Sequence, residues 1–370
     1  MGELSRRIGF SDEQGMLLET AVAFCREKSP VRAVRDLMGS ETGFDQGVWD
    51  EMAGLGWLGI AIPERHGGSG LGIAEAATIA EPMGRHLMAT PYGSTQIAVQ
   101  ALLAGGRSAE LAAIAQGMAA TVAVFEGDGD WDLGRIEARA VVKGGVARLE
   151  GAKALVLDAG VAGVIVVSVM LEGAPALVVL PGVERGRLRA ETVIDETRRS
   201  FRLDLEGIEV PGAEMITGAA ARAGLVAIRD AGLLFAVAEA AGGIAGVLDV
   251  TVEYLNTRST FGRKIGSYQA LKHTCADILV GLERSRSHFY HAATVCGAGE
   301  AGAEIALRMA KAEASDVFAH AGDRAVQFHG GFGFTWECDA QLYLRRALWL
   351  QYGFGDAAHH RRILADLLLG

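Results

Sequence analysis

Arg258 closes a long apolar stretch without proline and leads into Ser259-Thr260-Phe261-Gly262. A guanidinium at such a Gly-flanked turn offers a planar fork that suits a pyrophosphate better than an ammonium does. Further along, Gln327-Phe328-His329-Gly330-Gly331-Phe332-Gly333 supplies an amide followed by glycines. Glycine there lets a backbone approach a phosphate or ribose and present N–H donors free of side-chain obstruction. Each feature also has a plain reading. Arg258 could simply answer the negative end of a helix dipole with Phe261 in the core, and glycines are common in a chain that holds 50 of them.

The elements that must position these residues follow from periodicity. From Ser11 onward apolar residues recur at helical spacing, as in Met16-Leu17, Ala21 and Phe24-Cys25, with Ser11 expected as an N-cap and Glu13-Gln14 near its N3 position. The break at Leu55–Gly72 reads as a loop by its Pro and Gly content. Beyond Thr121 come short β-branched runs between turn residues, such as Val141-Val142 and Val164-Ile165-Val166-Val167, too closely spaced to hold crossover helices. Long helices return near Ala219, with Leu225 to Thr257 continuous. The expected fold is α+β: an N-terminal helical domain over 1–120, a middle antiparallel β domain over 121–215 and a C-terminal four-helix bundle over 216–370.

Arg258-Ser259-Thr260-Phe261-Gly262 with Tyr268-Gln269, the Gln327 to Glu337 segment, and the Leu55–Gly72 loop with its Pro63-Glu64 and Gly67-Gly68-Ser69-Gly70 together resemble the acyl-CoA dehydrogenase family. The order of helical, β and helical stretches is similar over nearly the whole length. The resemblance implies FAD as cofactor, an acyl-CoA substrate and electron-transfer flavoprotein as electron acceptor. It implies a flavin-binding set of Arg258, Phe261, Gln269, Gln327, Gly330 and Gly331. In the family the matching arginine reaches across a subunit boundary to the flavin diphosphate, the aromatic packs near adenine, and His329 keeps a structural role.

Dehydrogenation of a thioester across Cα–Cβ needs a base for the α-proton, and a carboxylate in an apolar pocket suits it. Both positions where the family carries that glutamate lack it: one is Phe354, the other Gly232 with Leu233 after it. Asp356 is the nearest substitute, but its side chain is shorter and displaced, and it suits better the cap of a helix starting near Ala357. The family's flavin ring is held by β-domain hydroxyl and aromatic contacts, and the stretches Val124–Asp130 and Lys153–Asp158 have lost most of them. The chain thus resembles the Glu-lacking subunits of actinobacterial heterotetrameric acyl-CoA dehydrogenases, several of which act on CoA thioesters of steroid side chains. A homologous Glu-bearing subunit is the implied partner. Two rivals stay open: an independently active enzyme with Asp356 as displaced base, and a noncatalytic structural or regulatory homologue.

Composition narrows the rest. The net charge of −10 with basic residues scattered along the chain disfavours a nucleic-acid face. Cys25, Cys275, Cys296 and Cys338 lie far apart and read as small buried hydrophobes in a reducing cytosol. The polar opening MGELSRRIGFSDEQ carries no secretory pattern and the Val161–Val169 stretch is too short to span a bilayer, so no membrane and a cytoplasmic location are expected. No metal is expected: His359-His360 lack a third ligand, and the Glu126-Asp128-Asp130 trio, which has no calcium-loop spacing, reads as a solvated turn. Glu239 and Glu253 read as polar-face or interface residues of the long helix, and Trp57 and Trp349 as core.

Overall fold

The computed structural model describes residues 12–127 and 131–370; Ser11, the side chains of Glu13 and Gln14, and Asp128 and Asp130 lie outside the described residues. In chain order the helices are α1 (Asp12–Lys28), α2 (Val31–Met38), α3 (Gln46–Gly54), α4 (Ile73–Arg85), α5 (Tyr92–Ala104), α6 (Leu111–Ala115), α7 (Gly218–Thr257), α8 (Gln269–Gly297), α9 (Ala303–Phe328), α10 (Ala340–Tyr352) and α11 (Ala357–Leu369). Between α6 and α7 lie β1 (Ala120–Ala123), β2 (Arg139–Lys143), β3 (Val146–Glu150), β4 (Ala152–Leu157), β5 (Val164–Leu171), β6 (Ala174–Pro181), β7 (Leu188–Glu191), β8 (Ser200–Asp204) and β9 (Glu209–Pro211). A short hairpin, β10 (Ser259–Thr260) and β11 (Arg263–Lys264), joins α7 to α8. The described residues gather into two units, 37–76 with 89–232, and 12–36 with 77–88 and 233–370.

The first unit holds the sheets. One runs in the order β1-β5-β2-β3-β9 with β6 on β5, the other β4-β8-β7. The all-antiparallel expectation needs correction, because β5 pairs in parallel with both β1 and β2. Parallel neighbours require a crossover. Here the chain between β1 and β5 makes it with the β2–β3 hairpin and a strand of the second sheet instead of a helix. Alternation along the strands turns Leu149, Val156, Ile165, Val167, Val169 and Leu203, joined by Leu205 just past β8, into one buried cluster, and each such side chain removed from water contributes about 1.5–3 kcal/mol. Inside this unit Glu126 is no solvated turn residue. Its carboxylate pairs with the fully buried Lys153 and accepts from Ala138 N at 3.1 Å, while Lys153 Nζ also donates to Ser168 Oγ at 2.9 Å. Burial pulls the Lys153 ammonium below the ordinary lysine range, with Glu126 pulling the other way. Trp57 is core, as expected.

In the second unit α9 is central and packs against α8, α10 and α11. The α7 helix is long and apolar enough to cross a membrane by length and composition, yet most of that apolar window is buried, as suits a core helix. It crosses α4 at backbone contact. A Cβ on Gly242 would overlap the Glu81 carbonyl oxygen, and one on Gly84 would overlap that of Glu239. Glu81, also buried, accepts from Arg286 Nε at 2.8 Å and from the Tyr290 hydroxyl. Glu239 departs from its expected polar-face role. It is buried and pairs with Arg346 at 3.1 Å, a guanidinium with no exposed surface. Glu253 is exposed. Cys25 and Cys338 are buried, but Cys275 and Cys296 are only half-buried.

Candidate functional site

The final turn of α7 delivers Arg258 to the surface: its N–H donates to Tyr254 O at 2.9 Å and its own carbonyl accepts from Ile265 N at 2.9 Å. The backbone is therefore fixed while the guanidinium is exposed and has no hydrogen bond or ion pair among the described residues. Next comes the two-residue turn of the β10–β11 hairpin, where Phe261 and Gly262 both take positive φ, 54° and 76°. That is the backbone of a type I′ turn, which Asn-Gly or Gly-Gly adopts readily and a bulky residue only under strain. The β2–β3 turn in the same chain uses Gly144-Gly145. At the hairpin tip the strained residue is an aromatic, and Phe261 is 92% exposed, so its core reading does not hold.

An open groove of about 790 Å³ lies beside it, lined by Arg258, Phe261, Tyr268, Gln327, Gly330 and Gly331 among others. Its floor is a ring stack: Tyr254 lies 4.1 Å from His329, centroid to centroid, at 26° between planes. His329 is buried and its Nδ1 is 2.7 Å from Ala325 O, so it has the structural role expected of it. The three glycines divide. A Cβ on Gly333 would overlap Val326 O, so that glycine is needed for packing. On Gly330 or Gly331 a Cβ would meet nothing within 4 Å, and Gly331 does not have positive φ either. Neither local sterics nor backbone conformation calls for glycine at 331. Its bare backbone leaves the groove wall open to close approach.

Gln327 is exposed, its amide without a partner among the described residues. Gln269 starts α8 and is exposed too, but is not part of the groove wall, although Tyr268 and Leu271 are. The residues present therefore fit a diphosphate-bearing nucleotide in donor type: a free guanidinium, an amide, unobstructed backbone and flat aromatic surfaces.

The positions read for a base are elsewhere in the chain. Gly232 is buried within α7, followed by the fully buried Leu233. Phe354 sits half-buried on a bend with φ of 59°, before Gly355 at 108°. Asp356 is the N-cap of α11, its Oδ1 accepting from His359 N at 2.8 Å.

Sequence reasoning missed what holds this bend. Lys311, buried in α9, donates from Nζ to Ser315 Oγ at 3.0 Å, Gln351 O at 3.1 Å and Gly355 O at 2.7 Å. Burial lowers its pKa to about 7 against the pull of Asp356 and Asp316. Nearby, His360 Nδ1 is 3.2 Å from Arg308 Nη1, and burial followed by the Lys311 and Arg308 charges depresses its pKa to about 3. The unfolded chain takes up this proton near pH 6.5, the folded one only near pH 3, so His360 destabilises the fold progressively as pH falls between those values. Thermal unfolding of His360→Gln against the parent should show the parent losing about 1.4 kcal/mol more per pH unit between pH 6 and 4; parallel curves would mean that His360 does not titrate this way.

In the stretches expected to lack ring contacts, Glu126 and Lys153 are spent on each other. Leu155 bulges out of β4 with φ of 53°, Val156 is core, and Asp158 accepts from Ser94 Oγ at 2.7 Å. Among the described residues no group of three His, Cys, Asp or Glu side chains is placed to hold a metal.

Comparison with known proteins gives one family for both ends of the chain. Residues 11–121 match the acyl-CoA dehydrogenase N-terminal domain and residues 234–369 the acyl-CoA dehydrogenase C-terminal domain. Acyl-CoA dehydrogenase IpdE2 of Mycobacterium tuberculosis is 30% identical over 343 residues, covering 91% of each protein. A chain of the Tcur3481–Tcur3483 steroid ACAD superposes with a TM-score of 0.87 at 26% identity, over 97% of this chain and 98% of that one. A chain of the ChsE4–ChsE5 complex from Mycobacterium tuberculosis has the same fold, with a TM-score of 0.87 at 24% identity over 98% of both.

Proposed function

The chain belongs to the acyl-CoA dehydrogenase family, a family of FAD-dependent flavoproteins, and from that premise we propose that it is the base-lacking subunit of a heteromeric acyl-CoA dehydrogenase. In this reading Arg258, Phe261, Gln327, Gly330 and Gly331 complete the FAD site of a homologous partner that carries the glutamate. Gln269, outside the groove wall, joins them only through the partner's side of the site.

One observation carries the reading. Residues 256–277, which include the hairpin and the first turns of α8, contain no buried residue. A lone two-stranded hairpin is marginal in water, and exposed aromatic surface of this kind marks an interaction site. An arm that displays an unpaired Arg258 and an outward Phe261 is complete only against another chain. Asp356, engaged as a helix cap, gives little support to the displaced-base reading.

The chemistry follows for the pair. The FAD that Arg258, Phe261, Gln327, Gly330 and Gly331 would help to hold would supply the hydride acceptor for Cβ. The proton on Cα goes to a partner carboxylate, since Phe354 and Gly232 cannot take it. Arg258 would offset diphosphate charge, and Phe354 leaves no acid at the position where the family carries its base. A CoA thioester of a steroid side chain is the proposed substrate class, supported by the steroid ACAD neighbour. Electron-transfer flavoprotein as acceptor and a cytoplasmic setting belong to the same reading.

Flavin absorbance and native mass test it. The chain purified alone should be colourless, and a 2:2 complex with a Glu-bearing homologue should hold about one flavin per pair of chains. A lone chain that is yellow and bleached by acyl-CoA would sink the proposal. The hairpin gives a second check. Phe261→Asn installs the favoured Asn-Gly turn and should stabilise the isolated chain by roughly 0.5–1 kcal/mol. It should also weaken assembly about 30-fold, as loss of an aromatic anchor does; sedimentation showing unchanged affinity would exclude Phe261 from the interface.

A further inference from the structure

The arm that carries the groove is basic in an acidic protein. Residues 256–276 include Arg258, Arg263, Lys264 and Lys272 and no Asp or Glu, whereas the whole chain has a net charge of −10. All four cations are exposed, and none pairs with a carboxylate among the described residues. Arg263 instead lies over the Tyr268 ring, 4.0 Å from its centroid, and Lys264 Nζ donates to Thr257 O at 2.6 Å. Of the four only Arg258 lines the groove. A diphosphate there answers Arg258 and leaves the other three without a counter-charge.

We infer that Arg263, Lys264 and Lys272 form a recognition surface for an acidic rim on the flavin-bearing partner subunit, separate from the nucleotide contacts; this rests on the half-site reading above. Three points carry it. The charges share one sign over a stretch without a buried residue, so their stems are not held there by a core of their own. Two are held in place, Arg263 by the aromatic ring and Lys264 by a carbonyl, which lowers the entropy lost on docking. Rim charges of this kind act mainly on encounter, raising association rates by one to several orders of magnitude at low salt and rejecting partners of like sign. The surface thereby selects which homologue the arm meets before any flavin contact forms.

The test uses Arg263→Glu/Lys272→Glu in the full chain, mixed with the purified Glu-bearing subunit, with association followed by stopped-flow tryptophan fluorescence. Lys264 is left in place because its ammonium holds the end of α7. Neither replaced side chain has an ionic partner among the described residues, and Arg263→Gln/Lys272→Gln provides a milder pair if reversal impairs folding. Association at about 20 mM salt should slow at least tenfold for the reversal, the rates should converge near 1 M salt, and dissociation should change little. Equal rates and salt slopes for variant and parent would overturn the proposal, and faster association of the variant would show a basic partner face. Flavin content of the lone chain separates the two ideas. A colourless lone chain with unaltered rates defeats the charged surface alone. A flavin-loaded homotetramer defeats the half-site reading and makes a second copy the occupant, which overturns the acidic partner as well.

Discussion

Replacing Arg258 with alanine should strip flavin from the assembled complex while leaving the chain itself as stable as before. The guanidinium has no partner among the described residues, so its removal breaks nothing in the folded monomer. Against a diphosphate the loss is that of a charge-assisted, bidentate contact, worth about 2–5 kcal/mol, which weakens flavin binding about 30- to 5,000-fold. Arg258→Lys should recover only part of it, because an ammonium restores the charge without the planar fork. Gly331→Ala provides the matching steric test: the added methyl meets no protein atom within 4 Å, so unfolding should be unaffected while flavin affinity drops. Titration of apo complex with FAD, followed by fluorescence quenching, measures both. If Arg258→Ala retains flavin at parental affinity, the groove is not the diphosphate site.

The second large effect lies where α4 and α7 cross. At Gly242 a methyl group would overlap the Glu81 carbonyl oxygen and stand 2.7 Å from Arg85 N. Both are backbone atoms, unable to swing aside as a side chain would, so one helix must shift relative to the other. Overpacking of this kind costs about 1–3 kcal/mol or more. The opposing gain in helix propensity for Gly→Ala is about 1 kcal/mol, and the clash should win because displacing α4 also disturbs Glu81, which accepts from both Arg286 and Tyr290. Gly242→Val, larger and β-branched, should be worse. Gly54→Ala is the control of opposite sign, since a methyl there meets nothing within 4 Å in a helix. Differential scanning calorimetry should show Gly242→Ala melting below the parent and Gly54→Ala at or slightly above it; a parental melting temperature for Gly242→Ala would mean that the helices separate at little cost.

The architecture was legible wherever the pattern along the chain encodes it. Helical spacing announced α7, and the change to short β-branched runs announced the strands. Strand direction was not legible, because alternation is the same whichever way a neighbour runs, and the parallel β1–β5 pair depends on a crossover written in no local pattern. Arg258, far in sequence from Gln327, Gly330 and Gly331, shares one groove wall with them. Gln269 was named with them by motif and lies outside that wall, since motif spacing fixes sequence position and not which way a first-turn residue faces. The glycines of the second motif look alike on paper, yet Gly333 serves packing and Gly331 does not. Nothing in the sequence marks Lys311, because two of its acceptors, Gln351 O and Gly355 O, are carbonyls that any sequence would provide. Glu239 and Arg346 hid for a related reason: each alone reads as surface, and only their meeting makes burial tolerable.

The uncovered arm also bears on the fate of a subunit that has found no companion. Its returning strand places Arg263 and Lys264 next to each other, both exposed and in a stretch without a buried residue, where a trypsin-like protease would cut once the short pairing opens. Assembly would cover this bond and hide the aromatic ring beside it. Survival time against such a protease would then depend on encounter.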